Sequence, residues 1–226
     1  MHIIILLLLL LVIIYGPQFW AKRVLNKYSR HRDDFPGTGG ELAEHLLKQF
    51  NMAVKVEITE AGDHYDPIDK VVRLSSDNFN GKSLTAVATA AHEVGHAIQD
   101  YSGYKALHTR TKLVRIAQIA EKLGAGLMML IPVIALIARI PAAGVLMFLG
   151  GIASLGASVL VHLITLPVEL DASFNRALPI LEKGQYINEI DQKAARKILT
   201  ACAVTYVASS LVSLLSLWRW IAILRR

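Results

Sequence analysis

Residues 90–99, AAHEVGHAIQ, hold two histidines four positions apart, with a glutamate directly after the first. On an α-helix, residues four apart lie one turn apart on one face, so His92 and His96 can aim two imidazoles at one ion. Glu93 falls about 100° around that helix, where it can reach a metal-bound water without binding the metal. Zinc in such a site lowers the pKa of its water and polarises a carbonyl, while the carboxylate accepts a proton and passes it on. With 8 histidines in 226 residues, chance supplies roughly 0.01 copies of this pattern, so coincidence on an ordinary helix is the weaker reading.

A catalytic zinc needs a third protein ligand and one open position. Glu169, in LPVELDAS, is the expected third ligand, because an acidic side chain in an apolar setting needs a partner. The plainer alternative is a glutamate solvated at an interface or favoured by a helix N-terminus. His108 and His162 come next, whereas His64 reads as a turn residue and His31 and His45 as surface residues.

These side chains need elements to hold them. Ser83 is placed to cap a helix over LTAVATAAHEVGHAIQDY, which lacks proline and has one glycine, Gly95. Upstream, HRDDFPGTGG reads as a loop, and ELAEHLLKQF shows a helical stripe of Leu42, Leu46, Leu47 and Phe50. VKVEI and KVVRL alternate like strands around a DHYDP turn, which predicts a β-hairpin. KVVRL is the expected edge strand for an extended peptide substrate.

Beyond this module the composition points to lipid. The chain is 54% hydrophobic and 19% charged, with the apolar residues gathered in long runs. Residues 1–20 read as an uncleaved N-terminal transmembrane anchor, since the run lacks a basic leader and a small-residue cleavage site. Residues 123–139 and 141–167 read as a membrane hairpin about Arg139 and Pro141, and residues 198–218 as a last span. The fold class expected is therefore a mainly α membrane protein, with about four transmembrane helices and a small α+β zincin-like module containing a β-hairpin. Its expected divisions are an anchor (1–20), the module (21–120), a transmembrane hairpin (121–168), a third-ligand segment (169–197) and a C-terminal transmembrane helix (198–226).

The net charge of +6 is concentrated beside the apolar runs, which favours membrane orientation over nucleic-acid binding. The positive-inside rule then gives a multi-pass protein of the cell membrane with its active site facing the cytoplasm. On that topology Arg225 and Arg226 fall on the less favoured side. The single cysteine, Cys202, excludes an intrachain disulfide and a cysteine-based metal site. Small residues in the later spans leave room for a homo-oligomer or a regulatory membrane partner. A zinc-binding scaffold or chaperone without catalysis is the alternative, but it gives Glu93 no task. A transporter would want more ionisable residues within the spans.

The run from DHYDP to HEVGHAIQ, together with LPVELDASFNRAL, resembles the YugP-type neutral zinc metallopeptidases of bacterial membranes. The resemblance covers nearly the whole chain. It implies a zinc-dependent membrane peptidase acting on peptides or membrane proteins, with His92, His96 and Glu169 as ligands and Glu93 as general base. It further suggests kinship with glutamate-ligand zincins such as the HtpX-type proteases, in which an aspartate four residues after the ligand glutamate braces a zinc-binding histidine. Here that position is Ser173, and the aspartate stands at Asp171. Which of the two braces the site stays open at this stage. Arg176 would share the Glu169 face, where it could orient the ligand or stabilise an oxyanion.

Overall fold

The computed structural model describes residues 2–119, 161 and 164–205. In chain order it contains α1 (His2–Lys27), α2 (Gly39–Gln49), β1 (Lys55–Ile58), β2 (His64–Asp66), β3 (Val71–Leu74), α3 (Ser76–Asn80) and α4 (Leu84–Tyr101). Then come α5 (105–119), α6 (164–170), a π-helical segment (Asp171–Ala177), α7 (Leu178–Lys183), a 3-10 turn (Glu189–Asp191) and α8 (192–205).

α4 is the axis of the module, with 16 of its 18 residues buried. Its many small and apolar residues need neighbours on nearly every side, and its buried polar residues need partners there. The α2 helix, the sheet and the π-helical segment pack around it, and Ile198, Leu199, Ala201 and Cys202 of α8 belong to the same core. Ser83 starts α4 by accepting from Ala86 N at 3.1 Å. The helix stops at Gly103 (φ +68°), where Tyr104 N donates to Gln99 O and Gly103 N to Asp100 O, a Schellman closure that turns the chain into α5. Thr38 and Glu41 form a capping box on α2, whose Ala43, Leu46 and Leu47 are buried. That helix approaches closely because Gly39 and Gly40 lack side chains. A Cβ on Gly39 would lie 2.8 Å from Ala86 O.

The sheet differs from the expected hairpin. Its order is β1-β3-β2, with β1 parallel to β3 and β2 antiparallel to it. The DHYDP stretch is mostly strand: Tyr65 is buried opposite Val72, and Asp63 receives Ser75 N at 2.7 Å and Asn78 Nδ2 at 2.7 Å. Those bonds hold the crossover that lets β3 run parallel to β1. KVVRL is therefore the central strand with both edges paired, so it is not the open edge expected for substrate. β1 and β2 are the edges.

The expectation of about four transmembrane helices is also corrected. Among the described residues the chain is mostly helical with a small three-stranded sheet, and no helix is long and apolar enough to cross a membrane. The helix that holds the first apolar run continues past Trp20 to Lys27. Its last turns dock on the module, with Ala21 and Val24 buried and Thr85 Oγ1 donating to Leu25 O at 2.8 Å. Likewise, Ile198 to Ala203, read as the start of the last span, are largely spent on the protein core. Hydropathy alone does not tell core from lipid. Residues 123–139, most of 141–167 and 206–218 lie outside the described residues.

Candidate metal centre

The His92 and His96 rings leave α4 together, their centroids 4.8 Å apart. Glu169 enters from α6, wholly buried, with Oε2 at 3.3 Å from His92 Nε2 and 3.1 Å from His96 Nε2. One ligand atom from each residue lies within 4.8 Å of the others. A tetrahedral ion with bonds of about 2.1 Å holds its ligand atoms about 3.4 Å apart, so these spacings fit a small divalent metal.

Hydrogen bonds fix which ring nitrogen faces the centre. Ser173 Oγ donates to the Leu199 carbonyl at 3.1 Å, so it accepts from His92 Nδ1–H at 3.0 Å. Gln99 Nε2 donates to Val168 O and to Asp171 Oδ2, each at 2.8 Å, which orients its Oε1 to accept from His96 Nδ1–H at 2.9 Å. Both rings then present Nε2 lone pairs to the metal position. Ser173 and Asp171 each stand behind one of the two histidines. Ser173 touches His92 directly, whereas Asp171 reaches His96 through Gln99.

Local winding makes this possible. Residues Asp171–Ala177 form a π-helix, with Leu178 N donating to Ser173 O five residues back. The same spacing pairs Arg176 Nε with Asp171 Oδ2 at 2.9 Å. Arg176 also lies over the Tyr104 ring at 5.7 Å. Its partners are thus the brace and α4's exit turn, where α-helical spacing had set it beside Glu169. α4 comes close because Gly95 has no side chain: a Cβ there would stand 2.8 Å from Ala172 O.

Charge in the centre follows from burial. Glu93 is buried, its Oε2 has no hydrogen-bond partner among the described residues, and burial raises its pKa. For Glu169, burial pushes the pKa up, but His96 and His92 outweigh it and hold the carboxyl below the usual range. Burial opposes a proton on His96, yet Glu169 raises its pKa to about 9. In the absence of metal, Glu169 thus favours the protonated form of His96.

The other histidines lie elsewhere. His108 Nδ1 faces Asp100 Oδ1 at 3.9 Å, His64 Nδ1 donates to Gly62 O, His45 meets Tyr186 and His31 pairs with exposed Asp33. His162 lies outside the described residues. Sequence reasoning missed Gln99, although its spacing three residues after His96 places it on the same face. It also missed the Leu199 carbonyl, for which a backbone group leaves no signal.

Residues 3–225 match the family described as "putative neutral zinc metallopeptidase". The chain belongs to this family. Among its relatives, the Bacillus subtilis (strain 168) protein named "Putative membrane protease YugP" is 36% identical over 220 residues, 92% of each chain. No solved structure matches. The family metal is zinc, and the two-imidazole, one-carboxylate donor set suits that ion.

Proposed function

We propose that the protein is a zinc endopeptidase in which His92, His96 and Glu169 hold the ion and Glu93 is the general base. When bound, zinc supplies a water of lowered pKa and polarises the scissile carbonyl. Three protein ligands leave a position for that chemistry. The observation that carries the reading is Glu93: a buried carboxylate beside the ligands, with an oxygen that has no hydrogen-bond partner among the described residues. A zinc site kept for structure alone has no use for it. Its raised pKa suits a group that takes a proton from water and delivers it to the leaving amine. Peptides are the substrates, and β1 or β2 offers an edge for an extended chain. We place the protein at a membrane, as the relative's name does for that protein, with the module on the cytoplasmic side where anionic lipid favours Lys22, Arg23 and Lys27.

Zinc content and cleavage of an unfolded protein substrate test the assignment. Glu93→Gln keeps zinc and loses cleavage, while Glu169→Ala loses or weakens zinc. Normal cleavage by Glu93→Gln would sink the mechanism, and normal zinc binding by Glu169→Ala would move the third ligand elsewhere.

A further inference from the structure

Glu169 uses its two oxygens differently. Oε2 closes the triangle with the histidines, at 3.3 and 3.1 Å. Oε1 is buried and accepts no hydrogen bond among the described residues. A carboxylate oxygen out of water needs a cation or a donor. Arg110 Nη2 stands 4.0 Å from Oε1, on a side chain only 19% exposed. Arg110 belongs to α5, which follows the Schellman turn at the end of α4. A guanidinium keeps its charge at any working pH and presents several N–H groups in a fixed plane.

We propose that Arg110 is a positioning residue that keeps Glu169 a one-oxygen zinc ligand, pairing with Oε1 while Oε2 faces the ion. The inference rests on the zinc reading above. A carboxylate that swung both oxygens onto the metal would fill the position needed by water and the substrate carbonyl. Arg110 prevents this by giving Oε1 a better partner. It also offsets one of the two negative charges, Glu93 and Glu169, that the centre gathers.

The test compares wild type with Arg110→Met, which keeps an apolar stem, and Arg110→Lys, which keeps the charge without the fork. Zinc affinity is measured by competition with a chromophoric chelator, zinc–ligand number and distances by X-ray absorption, and turnover at saturating zinc. Arg110→Met is expected to bind zinc about 10–100-fold more weakly. Its absorption spectrum should gain one carboxylate oxygen, and kcat should fall with little change in KM. Arg110→Lys should lie between the two. If Arg110→Met does not fold, Arg110→Lys decides, through weaker zinc binding at an unchanged melting temperature of the metal-free protein. Wild-type zinc affinity and spectrum in the variants, with or without a loss of kcat, would overturn the role while leaving the zinc reading intact. Absence of zinc binding in wild type would overturn both.

Discussion

Replacing Gly95 with alanine sets one methyl group against the backbone that carries half of the metal centre. The new Cβ would stand 2.8 Å from Ala172 O, where ordinary contact begins at 3.4 Å, so the helices must part by about 0.6 Å. Ala172 cannot rotate its carbonyl away, because the atom belongs to the π-helical segment between Asp171 and Ser173. Overpacking of this kind costs about 1–3 kcal/mol. Alanine's better helix propensity returns about 1 kcal/mol, so the net loss of stability is only about 0–2 kcal/mol. Metal binding is more sensitive, since zinc–ligand distances tolerate about 0.2 Å. A shift of about 0.6 Å between α4 and Glu169 exceeds that, and zinc affinity should drop about 10–100-fold. Chelator competition at fixed pH measures the affinity, and denaturant unfolding of the metal-free protein separates it from stability. Zinc affinity within about twofold of wild type would refute the argument that this close approach sets the ligand geometry.

Other perturbations address the braces and the proton. Ser173→Ala removes the acceptor for His92 Nδ1–H and the donor to Leu199 O, so zinc affinity should fall about 10–100-fold in the same competition assay. Gln99→Ala should weaken zinc more than Asp171→Asn, because Asp171→Asn leaves Gln99 tied to Val168 O and to His96. Zinc must displace the proton held by His96 below a pKa of about 9, so calorimetry in buffers of different ionisation enthalpy should show about one proton released per ion at pH 7. Because that pKa lies above the ordinary 6.5 and the Glu169 carboxyl is held below its ordinary 4.5, the pair stabilises the metal-free fold fully between 4.5 and 6.5. That benefit is lost as pH rises through about 9, which melting curves of the metal-free protein will show. Tyr65→Phe removes a 2.7 Å bond to Asp100, where Lys70 also pairs, and should cost about 1.5–3 kcal/mol in denaturant unfolding.

Legibility from sequence followed how local each feature is. The histidine pair, Glu93 and the Ser83 cap all lie within one helix, where spacing alone sets direction. Glu169 was within reach because a buried acid is costly enough to demand a partner. The sheet order was not legible: β2 has three residues, too short for alternation, and its Asp and Pro neighbours look like turn chemistry. The π-helix escaped for a related reason, since α-helical spacing directs Asp171 away from the centre and Arg176 toward it. The apolar run misled at Ile198 and Leu199, because burial in protein and burial in lipid select the same residues.

The tie from Ser173 to the Leu199 carbonyl has an evolutionary consequence. That acceptor is main chain and survives any substitution at position 199, so the outermost support of His92 leaves no trace in a comparison of side chains. What selection must preserve is where α8 lies. Leu199 is wholly buried, so its volume, more than its identity, maintains that position. A drift in core packing there would turn one imidazole without touching any residue that looks functional.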